Sequence, residues 1–250
     1  MKKISLLVLT LFIVAYSSAQ QTYLYPSAND PQANEKVHLF ILSGQSNMQR
    51  FKPELTFTPK IVEAFGEGNV LIVKDAQGGQ SIQRWYKDWK SVQGKEGKEN
   101  GDLYDRLMKG VKAAIEGKKF LSVSFIWMQG EKDAATNQTG VYKDSFFGLL
   151  KQLEHDLGRK DFNVVIGRLS DYTLHPGKNY GKHKEWQQMR ELQVSMAEEL
   201  KSAAWVDCDD LNNMKDQKTN EMYNDVHYTP EGYQLLGERY AEKVIALIKK

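Results

Sequence analysis

Five short runs of apolar residues recur along the chain, and each has the length of one buried strand. These runs are Val37–Ser43, Val70–Asp75, Leu121–Met128, Asn163–Leu169 and Ala203–Asp207. Most of them are nearly continuous and lack the alternation of apolar and polar residues that marks a strand with one face in water. The pattern therefore predicts strands that are covered on both faces.

Helical patterns separate these runs, and their ends carry start and stop signals. The predicted helices are Leu103–Glu116, Val141–Leu157, Glu185–Lys201 and a last helix that begins after Thr229. Asp102 is a candidate N-cap, Gly158 is a C-terminal stop, and Thr229 followed by Pro230 is a further start. The alternation of strands and helices predicts an α/β fold with a parallel sheet between two helix layers.

The chain shows no internal repeat and no linker between domains. We expect residues 37–250 to form one domain, preceded by a polar lead-in over residues 20–36. The charged, glycine-rich stretch Lys87–Gly101 interrupts the pattern of strands and helices. We interpret it as a solvated surface loop or as a flexible lip of a site.

The first 19 residues have the features of a secretory signal peptide. Lys2 and Lys3 precede the uncharged run Ile4–Ala15, and the small residue Ala19 stands at a suitable cleavage position. A membrane anchor is the weaker interpretation, because a span needs about 20 apolar residues. We expect cleavage after Ala19, which leaves 231 of the 250 residues. The mature protein would have no membrane span and would be periplasmic or extracellular.

Composition and charge exclude several classes of protein. With 41% hydrophobic and 26% charged residues, the chain matches neither a disordered nor a fibrous protein. Its single cysteine, Cys208, cannot form an internal disulfide, and we expect it to be a buried apolar residue. Lys and Arg number 34 against 32 Asp and Glu, and cleavage removes two of the lysines. A mature chain without net charge does not predict a nucleic-acid binder.

Ligand sites of parallel sheets form at the carboxyl ends of the strands, so the residues just after each strand are informative. Ser46 follows the first strand within Gly44–Met48 and is either a nucleophile at a tight turn or the cap of the next helix. Gly78 and Gly79 follow the second strand, where they direct a backbone N–H at a ligand or form an ordinary turn. Either segment alone leaves both alternatives open.

Polar residues also follow the third strand and precede the last helix. Gln129 could donate its amide to an oxyanion and Glu131 could orient a base. Alternatively, Glu131 and Asp133 are metal ligands or solvated acids of a turn, although no histidine lies near them to complete a metal site. Of the five histidines, only His227 combines a close acidic neighbour with a position at a strand end. A general base needs such an arrangement.

Together these segments resemble the four sequence blocks of the SGNH (GDSL-type) hydrolases. The matching segments are Gly44–Met48, Gly78–Trp85, Gln129–Asp133 and Tyr223–Tyr228. Within that superfamily the chain is most similar to the branch of sialate O-acetylesterases and acetylxylan esterases, carbohydrate esterase family six. The spacing of Trp186, Arg190 and Gln193 resembles a further segment of that branch.

The resemblance implies a flavodoxin-like α/β/α sandwich with a five-stranded parallel sheet. It also implies a serine esterase without metal or cofactor, in which Ser46 is the nucleophile and His227 the base. The backbone N–H groups of Ser46 and Gly79 would form the oxyanion hole with the Gln129 side chain. Gly78 would replace Gly79 if the register slips by one residue.

One position departs from the family pattern, which usually has an Asp three residues before the His. That position is Asn224 here, and Asp225 stands two residues before His227. The acid of the triad is then Asp225 on a shifted loop, or Glu131, or is absent because a Ser–His dyad operates. An Asn can orient an imidazole but cannot stabilise its cation by charge.

The implied function is removal of O-acetyl groups from a carbohydrate, which is the expected partner. We expect Gln45, Arg84 and Trp85 to contact this substrate, with the loop over residues 171–184 beside them. An SGNH lipase or thioesterase for longer acyl chains is one alternative, although the polar stretch Lys87–Gly101 does not suggest an acyl tunnel. A non-catalytic carbohydrate-binding protein with a degenerate site is the other, and Asn224 favours it. The sequence leaves the individual sugar and the oligomeric state open.

Overall fold

The computed structural model describes residues 23–25, 36–172, 174, 183–215, 218 and 222–250. The predicted signal peptide, most of the lead-in and most of the loop over residues 171–184 lie outside these ranges.

The strands that build the core follow the predicted apolar runs closely. They are β1 (Tyr23–Tyr25), β2 (Lys36–Gly44), β3 (Val70–Ala76), β4 (Lys119–Met128), β5 (Phe162–Gly167) and β6 (Ala203–Val206). β2 to β6 pair in parallel, and the short β1 pairs antiparallel with β3 at one edge. The order is β1-β3-β2-β4-β5-β6. The five predicted strands and the predicted α/β fold are thereby confirmed.

Seven helices in the described residues cover the sheet. They are α1 (Ser46–Arg50), α2 (Phe57–Phe65), α3 (Asp102–Ala114), α4 (Glu131–Ala135), α5 (Thr139–Leu157), α6 (His183–Glu199) and α7 (Pro230–Ile248). α2 packs with α7 on one face, whereas α3, α5 and α6 lie on the other. A small hairpin of β7 (Asn213–Lys215) and β8 (Met222–Asn224) precedes α7.

The helix signals read from the sequence hold at two of three positions. The Thr229 hydroxyl accepts a hydrogen bond from the Gly232 N–H at 2.8 Å, as an N-cap does. Gly158 ends α5 in the left-handed conformation with φ of 64°. Asp102 is not an N-cap, because α3 begins at Asp102 itself and Gly101 occupies the cap position.

The connections of the sheet create a crevice between β2 and β4. The chain leaves β2 towards β3 on one side, then crosses over to β4 and continues to β5 and β6 on the other side. In open parallel sheets, ligand sites lie at such a reversal, just beyond the carboxyl ends of the strands. Here those ends are Gly44 and Met128, which are paired in the register of the sheet.

Candidate active site

Ser46 is held at the crevice by an unusually close approach of two backbones. The Gln45 N–H donates to the Met128 carbonyl at 2.9 Å, and a Cβ on Gly44 would lie 2.0 Å from that same oxygen. Only glycine fits there, and its φ of +144° is one that side chains disfavour. α1 therefore starts abruptly at Ser46. Among the described residues, the Ser46 hydroxyl has no hydrogen-bond partner and is partly exposed.

The glycine pair after β3 lies directly against Ser46. A Cβ placed on Gly78 would be 3.5 Å from the Ser46 Cβ, so the two segments are in contact. The Gly78 N–H already donates to Gln49 Oε1 at 2.8 Å. Gly79 is exposed, has φ of +71° and has nothing within 4 Å of its missing side chain. Its N–H is therefore the better placed of the two to meet a ligand.

Asp225 lies beside His227. Asp225 Oδ1 accepts the backbone N–H of His227 at 2.8 Å and lies 3.5 Å from the ring Nδ1. The ring is a quarter exposed. Burial, with the positive charge of Arg50 second, lowers the pKa of His227 below its ordinary value, and Asp225 offsets part of this effect. The imidazole is thus predominantly neutral at pH 7, as a general base must be.

Asn47 joins these parts of the site, a role that its position in the sequence did not predict. Its amide donates to Glu131 Oε1 and to the Val226 carbonyl, both at 3.0 Å, and its Oδ1 accepts from the Tyr233 hydroxyl at 2.9 Å. The residue after Ser46 is therefore bonded to the residue before His227. Its place in the Gly44–Met48 block was the only sequence signal that could have found it.

Glu131 is buried and faces Asn47. Its Oε1 accepts the Asn47 bond, while its Oε2 is buried without a partner among the described residues. Burial raises the pKa of Glu131 to about 7, although hydrogen bonds, including that from Asn47, oppose the shift. Of the two carboxylates considered for the triad, Asp225 is the one beside the imidazole.

The Gln129 amide lies in the core of this region, with 0% of the residue exposed. Its nitrogen donates to Asp133 Oδ2 at 2.6 Å and to the Gln80 carbonyl at 3.0 Å, with Gln45 Oε1 farther away at 3.3 Å. An amide nitrogen carries two protons, and these contacts use both. Gln129 therefore has no free donor to offer an oxyanion in this structure.

Asp133 anchors the same region and is 0% exposed, which corrects its interpretation as a solvated acid of a turn. Its Oδ2 also accepts the Ile82 N–H at 3.0 Å, which ties the loop after β3 to α4. Burial raises the pKa of Asp133 to about 7. Gln45, expected to contact substrate, is only 4% exposed, and its Oε1 accepts the Lys132 N–H at 3.2 Å.

Two residues that were expected to contact the sugar contact other protein side chains in the structure. The Trp85 ring is 0% exposed and packs edge-on against Trp127 with ring centroids 5.3 Å apart, so it cannot stack on a ligand. Arg84 donates two bonds to Asp102, at 2.5 and 2.6 Å, and a third to Gln80 Oε1 at 2.9 Å. The expectation for Trp85 is corrected, because its ring belongs to the core. Arg84 anchors the start of α3 and is partly exposed, so its contact with the substrate stays a prediction.

Among the described residues, Asn224, which stands at the usual Asp position of the family, is bonded to Asp171 and not to His227. Its amide donates to Asp171 Oδ1 at 2.8 Å. Asn224 therefore ties the hairpin before α7 to the loop after β5, and a carboxylate at this position would meet Asp171.

The spaced residues of α6 are structural. Trp186 donates to the Ser170 carbonyl at 2.6 Å and Arg190 to the Leu169 carbonyl at 2.6 Å. Gln193 accepts the Leu169 N–H at 2.8 Å and donates to the Gln129 carbonyl at 2.8 Å. Their spacing puts them on one helix face, where they satisfy backbone groups at the ends of β4 and β5.

Other features of the described residues lie outside this site. Cys208 is 0% exposed, and burial raises the pKa of its thiol to about 12, in line with the expected apolar role. A surface cavity of about 630 Å³ lies at the opposite end of the sheet, beside His38 and Ser122. Within the described ranges, no cluster of three metal-binding side chains exists, and no helix is long and apolar enough to cross a membrane.

Comparison with protein families gives a match over most of the chain. The model of the family described as "Carbohydrate esterase, sialic acid-specific acetylesterase" matches residues 49–246. The matched range includes Gly79, Glu131, Asp225 and His227 and starts just after Ser46. No curated protein matches the chain significantly.

Solved structures share the fold at low sequence identity. A protein from Arabidopsis thaliana aligns with 86% of this chain and 98% of its own, with 20% identity and a TM-score of 0.58. A carbohydrate acetylesterase from Xanthomonas citri aligns over 85% of this chain and 56% of its own, with 16% identity and a TM-score of 0.62. A carbohydrate esterase family 3 enzyme from Talaromyces cellulolyticus gives 13% identity over 85% of this chain and 99% of its own, with a TM-score of 0.53.

Proposed function

Because the chain belongs to the carbohydrate esterase family of sialic acid-specific acetylesterases, we propose that it removes O-acetyl groups from a carbohydrate through an acyl-enzyme on Ser46. The enzyme is a carboxylic ester hydrolase of the SGNH fold. The observation that carries the mechanism is the meeting of three segments: Ser46, the glycine pair against it, and the loop of His227 bonded to Asn47.

In the proposed reaction, His227 removes the hydroxyl proton of Ser46 as Ser46 Oγ attacks the acetyl carbonyl. Asp225 lies beside Nδ1, which leaves Nε2 as the nitrogen for Ser46. Asp225 holds the ring in this tautomer and stabilises the imidazolium that forms. The sugar alcohol then leaves with the proton from His227. Water, activated by the same base, hydrolyses the acetyl-enzyme and releases acetate.

The negative charge on the carbonyl oxygen needs donors near Ser46. The Ser46 and Gly79 N–H groups are the two that the geometry supports, each worth about 3 kcal/mol in the transition state if well aligned. We assign Gln129 the task of holding the Gln80 carbonyl, and with it the glycine loop, instead of binding the oxyanion itself.

The experiment is acetate release from acetylated xylan, acetylated sialic acid and acetylated pectin by the wild-type enzyme and by Ser46→Ala. We expect turnover of at least one substrate and a loss of more than 10³-fold in kcat for Ser46→Ala. Ser195→Ala is the matched control, because Ser195 is an exposed serine of α6 that bonds only its own helix. Full activity of Ser46→Ala on 4-nitrophenyl acetate would contradict the nucleophile assignment.

A further inference from the structure

Asn47 is in an unusual position for a residue with no direct part in the proposed chemistry. It is 1% exposed, and every hydrogen of its amide has an acceptor. The three partners come from three separate elements: Glu131 at the start of α4, Val226 in the His227 loop, and Tyr233 in α7. A buried amide with three satisfied contacts fixes the elements it joins.

The contact with Val226 acts on the peptide unit that leads into His227. The carbonyl of this unit accepts from Asn47 at 3.0 Å, and its N–H, which belongs to His227, donates to Asp225 at 2.8 Å. The plane of the peptide is therefore held at both ends. Since the N–Cα bond of His227 lies in that plane, the orientation of the plane constrains where the imidazole can lie relative to Ser46.

The orientation of the Asn47 amide is in turn determined by its neighbours. Glu131 Oε1 is an acceptor, whereas the Tyr233 hydroxyl is the donor to Asn47 Oδ1. The amide nitrogen must then face Glu131 and Val226. A rotated amide would turn its oxygen towards the Glu131 carboxylate and the Val226 carbonyl, which are both acceptors.

We propose that Asn47 is a positioning residue, oriented by Glu131, that holds the His227 loop over Ser46. The inference rests on the proposed function. It gives Glu131, which is 5% exposed, a role that needs no contact with the imidazole.

The proposal has a consequence for pH dependence. An ionised Glu131 accepts a charge-assisted hydrogen bond, which is about twice as strong as a neutral one. The Asn47 side chain is therefore held more firmly once Glu131 has lost its proton. Burial raises the pKa of this carboxyl to about 7. Activity should therefore rise near pH 7, in addition to the rise at lower pH from His227.

Other titratable groups face Glu131 from the elements packed around it. They are Asp133, Tyr142, Tyr228, Tyr233 and Tyr240. The pKa values of all four tyrosines are raised above their ordinary value by burial, so these rings stay neutral over the working range. Asp133, whose pKa burial also raises to about 7, is the one group that requires a separate control.

The first test compares Asn47→Ala with Asn163→Ala. Asn163 is also a buried asparagine with a side-chain bond, but it lies at the start of β5, at the other end of the sheet. We expect Asn47→Ala to lower kcat about 100-fold with KM changed less than threefold, because misplacing a catalytic group by about 1 Å has such an effect. Asn163→Ala should keep kcat within twofold. A kcat for Asn47→Ala within twofold of wild type would overturn the proposal.

The second test measures kcat/KM for acetate release between pH 5 and 9 in Glu131→Gln, which keeps shape but cannot ionise. The rise near pH 7 should disappear, with activity close to wild type at pH 5.5 and about tenfold lower at pH 8.5. Asp133→Asn should retain the rise. In an Asn47→Ala background, Glu131→Gln should add less than a twofold effect. Persistence of the rise in Glu131→Gln, or additive losses in the double variant, would contradict the proposal.

A third measurement separates this proposal from the proposed function. The His227 imidazole, followed by NMR in protein labelled with ¹³C-histidine, should show a second inflection near pH 7 in wild type. Neither Asn47→Ala nor Glu131→Gln should show it. This holds whether or not the wild-type enzyme hydrolyses any ester, so an inactive protein would refute the function alone. A second inflection that persists in Asn47→Ala would refute the positioning role.

Discussion

Asp225 makes two contacts with His227, one to its backbone N–H and one to its ring. Asp225→Asn preserves an oxygen for the backbone contact but removes the charge that stabilises the imidazolium. We expect kcat on 4-nitrophenyl acetate to fall by about 10³- to 10⁴-fold with KM little changed. Retention of more than a tenth of wild-type kcat would exclude Asp225 as the acid of the triad.

Asn224→Asp is the informative companion variant. In the structure the Asn224 side chain donates to Asp171, so an Asp at this position faces another carboxylate. We therefore expect no recovery of activity when Asn224→Asp is combined with Asp225→Asn. Recovery would mean that the loop can return to the usual family spacing.

The same residues show the limit of sequence reasoning at this scale. Ser46 and His227 could be selected as candidates because four matching segments together resemble those of the SGNH hydrolases, whereas the Ser46 segment alone left both alternatives open. The sequence could not show whether the Trp85 ring contacts a ligand or lies in the core, because the same neighbouring residues are compatible with both. In the structure the ring packs against Trp127. The sequence also could not show whether Asp225 or Glu131 lies beside the imidazole, because the direction of each side chain depends on segments far away in the chain.

At the scale of elements, α6 stabilises the ends of two strands. Gln193 accepts the Leu169 N–H and donates to the Gln129 carbonyl, which also accepts from the Tyr142 hydroxyl. Gln193→Met keeps the length of the side chain but leaves the buried Leu169 N–H without a partner. We expect a loss of about 1–3 kcal/mol in the free energy of unfolding, measured with urea.

Gln188→Met serves as the matched control in the same helix. Gln188 is exposed, and its replacement should change the free energy of unfolding by less than about 0.5 kcal/mol. Equal stability of the two variants would mean that the α6 contacts do not contribute to the fold.

Most elements follow from local patterns, and the missed ones have a common cause. α1 and α4 have five residues each, which is too short for a helical period to be visible. α2 has nine residues and Pro59 in its first turn, a position that tolerates proline but resembles a break in the sequence. These short helices exist because tertiary packing supports them, since isolated helices of this length are unstable.

At the scale of the whole molecule, the two buried acids at the site make stability depend on pH. The pKa of Asp133 is about 7 in the folded protein against an ordinary value of 3.8. A raised acid pKa stabilises the fold fully below about pH 4, and this contribution is lost as pH rises to about 7. Since one pKa unit corresponds to about 1.4 kcal/mol, the loss has an upper limit of about 4 kcal/mol. Glu131 acts in the same direction.

We therefore expect a lower free energy of unfolding at pH 8 than at pH 5 for the wild-type protein. Asp133→Asn should show a smaller decrease between the two pH values, measured by urea denaturation. Asp88 is an exposed acid in the loop after β3. In Asp88→Asn the free energy of unfolding should decrease between pH 5 and pH 8 as much as in the wild type. An identical pH dependence in Asp133→Asn would mean that this carboxyl is not held neutral by the fold.

The sequence by itself determined the layers of the molecule and predicted Ser46 and His227 as nucleophile and base, because apolar runs and short motifs are local features of the chain. Apolar runs indicate buried strands, and Ser46 and His227 lie in short segments with distinctive neighbours. Only the tertiary structure decided how the site is held together. Asn47 and Val226 are 179 residues apart in the chain, and their hydrogen bond exists because the order of the strands brings the ends of β2 and β4 beside the loop before α7. The same strand order decides that Asp225 lies beside the imidazole and that the Gln129 side chain is buried.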